Sequence, residues 1–241
     1  MAAPVLLLHG FTHTGSSWEP VVAALGERYR ALTPDLRGHG AASDAVPVTL
    51  QAVLGDLEPL LGPEPVTLVG YSMGGRIALH AALAWSGRVR HLVLIGASPG
   101  IADAAERAAR RADDERLAQE IEASGIEEFA RRWAQMPVLA GLSGPARERA
   151  HADRLRSRTP GLARALRGLG TATLPPLWER LSELQTPVTV VVGERDEKFR
   201  RIAERMCESL TAAELAVVPS TGHAVHLEAT ARVAAIIAHR E

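Results

Sequence analysis

Cysteine is all but missing from the 241 residues. Cys207 stands alone, so no disulfide can form within the chain. It falls in a helical pattern over 200–210, where a small core residue is expected. Lysine is equally scarce: Lys198 is the only one among 27 basic residues. An anion site in this chain is therefore expected to use arginine, whose planar fork suits carboxylates. Charge of one sign is not in excess, the formal net charge being −1. That argues against nucleic acid as a partner and against an acidic solvating tail. No apolar run approaches the roughly 20 residues of a membrane span. The opening Met1-Ala2-Ala3-Pro4 has no basic region, and the apolar run at 5–8 is far too short for a signal peptide. A cytoplasmic protein without membrane contact is expected. Clusters at metal-ligand spacing, internal repeats and low-complexity tracts are also lacking.

What is present is an ordinary globular composition, 46% hydrophobic and 23% charged, long enough for one α/β domain with an insertion or at most two small domains. Short apolar runs at 5–8, 31–33, 66–69, 92–95, 188–192 and 215–218 read as buried strands. Helical patterns at 17–28, 50–61, 73–85, 197–210 and 226–239 alternate with them, the mark of βαβ units and a parallel sheet. The interval from 95 to 188 breaks this rhythm. It holds no strand pattern, but successive helices at 102–123, 126–136, 146–156 and 161–169, then a short one near 177–184. It reads as a helical cap, 98–175, inserted into a core made of 1–97 and 176–241.

Val66-Thr67-Leu68-Val69-Gly70-Tyr71-Ser72-Met73-Gly74 is a strand, a G-x-S-x-G turn and a helix start. Small residues at 70 and 74 permit the sharp turn that lifts a serine hydroxyl above the sheet edge. A serine there needs a base, and the base needs an orienter. Both should follow strands, at their carboxyl ends. Asp196 and His223 fall in such loops, with Glu194 as a rival acid and His226 as a rival base. His9 shapes the loop after the first strand, His39 sits in a turn, and His80, His91, His151 and His239 read as surface or core residues. An oxyanion hole needs two backbone N–H groups. Met73, after the serine, and Phe11, in the loop His9-Gly10-Phe11-Thr12, are the expected donors.

Arg76 lies about one turn into the helix after Ser72, where a cation opposes the helix dipole. Either an anionic ligand or a salt bridge to a carboxylate would account for it. At about 100° per residue, Arg107, Arg110, Asp114, Leu117 and Ile121 share one face with the large apolar residues, so Arg110 should point inward. Ile126, Phe129, Trp133 and Met136 form an apolar stripe, and core packing alone would explain Trp133. Arg156, beside Leu155, has no pattern argument of its own.

These segments together resemble the family of 2-succinyl-6-hydroxy-2,4-cyclohexadiene-1-carboxylate (SHCHC) synthases of menaquinone biosynthesis, which have the α/β-hydrolase fold. The residues that carry the resemblance are His9-Gly10-Phe11, Asp35-Leu36-Arg37-Gly38-His39-Gly40, Gly70 to Arg76, Ser98 to Ile101 and Glu106 to Arg110. Further on come Phe129 to Trp133, Gln135-Met136-Pro137, Leu155-Arg156-Ser157, Gly193 to Phe199 and Gly222 to Glu228. The first elements are generic to α/β-hydrolases. The arginine after the double glycine, the cap segments and Gly193-Glu194-Arg195-Asp196-Glu197-Lys198-Phe199 are more particular. Two departures stand out. Arg37 replaces the family's usual proline, and the chain starts almost at the strand before His9. The usual leading strand pair is thus missing, which implies a mostly parallel sheet of about six strands with an exposed edge open to pairing with another chain.

The resemblance implies a Ser72–His223–Asp196 triad and a substrate pocket lined by Tyr71, Arg76, Arg110, Trp133 and Arg156. It implies a lyase rather than a hydrolase. Pyruvate would be eliminated from 2-succinyl-5-enolpyruvyl-6-hydroxy-3-cyclohexene-1-carboxylate, with Ser72 as the base and no metal or organic cofactor. The partner would be a small anionic polycarboxylate, and the protein a monomer or homo-oligomer. An esterase, thioesterase or C–C hydrolase working through an acyl-serine is the alternative, and a non-catalytic ligand receptor a more distant one. Inward arginines argue against a neutral ester pocket.

Overall fold

Six strands make one sheet: β1 (Ala3–Leu8), β2 (Tyr29–Leu32), β3 (Val66–Tyr71), β4 (Val89–Ile95), β5 (Val188–Gly193) and β6 (Ala213–Val218). Their order is β2-β1-β3-β4-β5-β6, and every adjacent pair is parallel. The computed structural model describes residues 2–136, 139, 141, 142 and 144–239. Residues 1, 240 and 241 of the expected core, and 137, 138, 140 and 143 of the expected cap, lie outside them. The chain builds β1 and β2 in one direction, then crosses back over β1 to β3 and continues the other way. Loops at the carboxyl ends of β1 and β3 therefore diverge and leave a crevice there, the usual place for a ligand in such a sheet.

Side chains alternate between the two faces. Leu6, Leu8, Leu68, Leu92, Leu94, Val190 and Val192 pack on one side with Val53 and Leu57 of α2 (Leu50–Leu57), Ile77 and Leu79 of α3 (Met73–Ala84), and Ala203 and Met206 of α8 (Glu197–Ser209). Val5, Leu7, Val69, Val93, Ile95 and Val191 pack on the other with Val21 and Leu25 of α1 (Glu19–Leu25) and Val233 and Ile237 of α10 (Thr230–Ala238). Covered on both faces, the central strands are largely apolar; all six residues of β3 and of β5 are buried. At the edges, β2 and β6 are only partly buried.

Between β4 and β5 run α4 (Ala104–Ala123), α5 (Ile126–Trp133), α6 (Gly144–Arg154) and α7 (Thr159–Leu169). They have a small core of their own, where Ala118 and Ile121 of α4 meet Phe129 of α5 and Leu162 and Leu166 of α7. α4 is otherwise polar. It is tied to α7 by Arg167, whose guanidinium bonds both Glu115 and Glu122. Among the described residues no helix is long and apolar enough to cross a membrane.

Several helices are shorter than their patterns. The pattern at 17–28 is a 3-10 turn, Gly15–Trp18, followed by α1, which stops at Gly26 with a positive φ of 71°. The pattern at 226–239 breaks at Ala229 into α9 (Val225–Glu228) and α10. The stretch near 177–184 is a 3-10 helix, Trp178–Glu183. Arg37 forms a two-pronged ion pair with Asp56 of α2, 2.5 and 2.8 Å, which ties its loop to that helix.

Candidate active site

Ser72 is the N-cap of α3 and has φ 50° and ψ −108°, a conformation rare for a residue with a side chain. The neighbouring packing holds it there. A Cβ on Gly70 would lie 2.5 Å from the carbonyl oxygen of Gly74, and one on Gly74 would lie 2.2 Å from that of Leu8. The elbow can turn this tightly only because both residues are bare. The Ser72 amide donates to Ile95 O at 2.9 Å, so the turn is also fastened to β4.

His223 follows β6 and Asp196 follows β5. His223 Nδ1 donates to Asp196 Oδ2 at 2.7 Å, and Ser72 Oγ lies 3.3 Å from His223 Nε2. With Nδ1 carrying the proton, Nε2 is free to accept from the serine. Asp196 also caps α8, its Oδ1 accepting from the Phe199 amide at 3.3 Å. The Phe199 ring in turn packs on His223 at 4.4 Å. Glu194 makes a different contact. Its carboxylate accepts from the Ser220 amide at 2.8 Å and braces the loop leading to His223. His226 is placed away from Ser72 in the packing of the sheet. It is fully buried against Tyr71 and Trp18, and neither ring nitrogen has a partner.

The loop after β1 is unusually well anchored. His9 donates from Nδ1 to Gly10 O at 2.9 Å, and its Nε2 accepts from the Leu36 amide at 2.9 Å. That pattern needs a neutral ring. Burial agrees, pushing the His9 pKa down to about 4. Thr12 sits at φ 70° with its side chain buried. Asp153, at the end of the inserted helix α6, reaches across to this loop. It accepts from the Thr14 amide at 2.9 Å, from the Thr14 hydroxyl and from His13 Nδ1 at 3.1 Å. Next to it, the buried Arg154 donates from Nε to Thr12 Oγ1 at 3.3 Å. Burial alone would raise the Asp153 pKa, but the hydrogen bonds from His13 and Thr14 hold it down at about 2.

A cavity of about 510 Å³ opens onto Ser72 and His223. Phe11, Met73 and Tyr71 line it beside the serine, and Trp133 comes down from the cap to meet the Phe11 ring edge-on at 5.4 Å. Arg76 and Arg110 also line it. Arg110 is held by Asp114 at 2.7 Å. Arg76 has no carboxylate within ion-pair distance among the described residues, and its Nε is buried without a partner. Burial, then the charge of Arg110, push its pKa down to about 10 against the opposing pull of Asp114. It is still charged at neutral pH.

Arg156 is a correction: it does not line this cavity. It faces a separate space of about 150 Å³ beside His13 and Asp153, and its side chain is 61% exposed. The reason is local. Asp153 and Arg154, the last two residues of α6, face inward and are buried, while Arg156 lies in the turn that follows and faces outward. Asp153 and Arg154 were not singled out from sequence, because nothing near 153 in the chain signals a contact with a loop 140 residues away. Lys198, which also lines the cavity, was read only as part of a matching segment. Among the described residues no three His, Cys, Asp or Glu side chains are grouped as a metal site.

Residues 5–236 match the model of the alpha/beta hydrolase family. The chain is 36% identical over 233 residues to a Bacillus subtilis (strain 168) protein provisionally named 2-succinyl-6-hydroxy-2,4-cyclohexadiene-1-carboxylate synthase, covering 93% of this chain and 85% of that one. It is 32% identical over 237 residues to the synthase of that name from Klebsiella pneumoniae subsp. pneumoniae, covering 97% and 92%. Among solved structures, MenH from S. aureus superposes with a TM-score of 0.93 at 30% identity, covering 98% of this chain and 92% of that one.

Proposed function

The chain belongs to the SHCHC synthase family of the α/β-hydrolases, and from that premise we propose that Ser72, His223 and Asp196 act as an elimination triad. The reaction releases pyruvate from 2-succinyl-5-enolpyruvyl-6-hydroxy-3-cyclohexene-1-carboxylate and leaves SHCHC. Residues 98–175 serve as the cap over a core of 1–97 and 176–241. The observation that carries this reading is Arg76, a cation one turn beyond Ser72 that has no acidic partner among the described residues. Such a group is costly in an empty or neutral pocket and useful in one that takes a carboxylate.

Ser72 Oγ removes the ring proton alpha to the succinyl ketone while passing its own proton to His223 Nε2. Asp196 stabilises the imidazolium that forms. The electron pair from the broken C–H bond moves onto the ketone as a dienolate, whose oxygen takes hydrogen bonds from the Phe11 and Met73 amides. The pair then returns through the ring and expels the enolpyruvyl oxygen. The leaving enolate takes up the proton held on His223 and becomes pyruvate; this returns the imidazole to its neutral form, Ser72 having already regained a proton from the ring carbon. Arg76 and Arg110 orient the polycarboxylate so that the acidic C–H faces Ser72. Every step uses side chains and backbone of this chain.

The test is pyruvate release from the enolpyruvyl substrate, followed with lactate dehydrogenase and NADH, with a p-nitrophenyl ester in parallel. Pyruvate release that far outpaces ester cleavage is expected. Ester turnover without pyruvate would replace this reading by an acyl-serine hydrolase.

A further inference from the structure

The cavity holds four residues of formal charge besides Arg76: Arg110, Asp113, Asp114 and Lys198. Three of them are already matched. Asp114 is bonded to Arg110, and Asp113 to Arg116. Lys198 has no acidic partner within ion-pair distance among the described residues. Two cations therefore remain without a counter-charge, Arg76 and Lys198, and they come from different walls. Arg76 stands on α3, the helix that begins at Ser72. Lys198 stands in the first turn of α8, two residues after the Asp196 that holds His223 and one before the Phe199 that packs on it.

Lys198 is in an unfavourable place for a cation. The N-terminus of a helix carries positive partial charge, and the first turn favours acids. Glu197 follows that rule and Lys198 breaks it. Arg76 breaks it in the same way on α3. Both exceptions face one cavity, and this chain otherwise uses arginine for its basic residues almost without exception. An ammonium differs from a guanidinium in reaching a single point with rotatable donors, not a planar fork.

We propose that Lys198 is a specificity-determining residue that receives a carboxylate of the substrate on the His223 side of the cavity. The polyanion is then held at two ends, by Arg76 beside Ser72 and by Lys198 beside His223. Arg156, turned away into the other cavity, has no part in this grip. The inference rests on the elimination reading for the identity of its substrate.

The experiment compares Lys198→Ala and Lys198→Arg with the unaltered chain in the pyruvate-release assay, with thermal midpoints measured alongside. Lys198→Ala should raise KM for the enolpyruvyl substrate at least tenfold while kcat changes much less. Lys198→Arg, which keeps the charge but not the point-like head, should recover part of the loss. The thermal midpoint should not fall, since a cation is removed from the wrong end of a helix. A KM within twofold of the unaltered chain overturns the proposal, as does a fall in kcat and midpoint together without a change in KM. A titration with succinate separates the two readings. If the unaltered chain releases no pyruvate, the elimination reading fails by itself. Lys198 then stands if Lys198→Ala weakens succinate binding and falls if binding is unchanged.

Discussion

The division of labour between neighbouring acids and bases follows from what each side chain touches. Asp196 reaches His223 and Glu194 does not, so Asp196→Asn should lower kcat for pyruvate release by about 10³- to 10⁴-fold, as loss of an orienting carboxylate does in other triads. Glu194→Gln keeps its bond to the Ser220 amide and should cost less than about tenfold. Steady-state kinetics on the two variants decide this, and equal losses would mean that the acid has been misassigned. Arg76→Ala should lower kcat/KM for the anionic substrate by about 30-fold or more, in line with roughly 2 kcal/mol or more for a charge-assisted contact. Its effect on a neutral ester should be several-fold smaller. Equal losses on both substrates would give Arg76 a purely structural role.

Among the elements, the strands were the most legible and the cap contacts the least. A strand covered on both faces is mostly apolar along its length, so 66–69 and 188–192 marked β3 and β5 to within two residues. β4 begins three residues before its expected start, because Arg90 and His91 interrupt the apolar run that was its only signal. β2 at the edge is half exposed, and its expected span, 31–33, is shifted towards its end. That Ser72, Asp196 and His223 come together could be expected from the sequence because each follows a strand in a short motif. Lys198 and Asp153 carry no such signal, because their importance lies in what other elements bring to them. Asp153 joins α6 to the loop after β1 through three buried hydrogen bonds. Asp153→Ala would leave the Thr14 amide and His13 without their acceptor, at a cost of about 2–4 kcal/mol. Because that loop carries the Phe11 amide, kcat should fall as well. Urea unfolding and turnover measured together check the link, and a variant with normal stability and normal kcat would show that the cap does not fix the loop.

For the molecule as a whole, the buried histidines set the response to acid. Burial holds the His9 pKa down to about 4 and that of His39 down to about 3, and lowers that of His226 well below its usual value. In the unfolded chain each titrates near 6.5. Below that pH the unfolded state binds protons that the folded state refuses, so stability rises with pH across this range. The contribution is fully present above about pH 6.5 and is lost as pH falls towards 4, at up to about 1.4 kcal/mol per pH unit for each group. Urea midpoints between pH 7.5 and 4.5 should fall accordingly. His226→Leu should flatten the slope by about one group's share, and a midpoint constant from pH 7 to 5 would refute the account. The basic residues lead to a different property. With a single lysine at the rim of the cavity, the chain offers amine-reactive chemistry one ε-amino group, besides its α-amino group. A fluorophore or crosslinker coupled through that amine would sit at the mouth of the proposed active site without any engineered handle, and substrate would compete with the label for the same nitrogen.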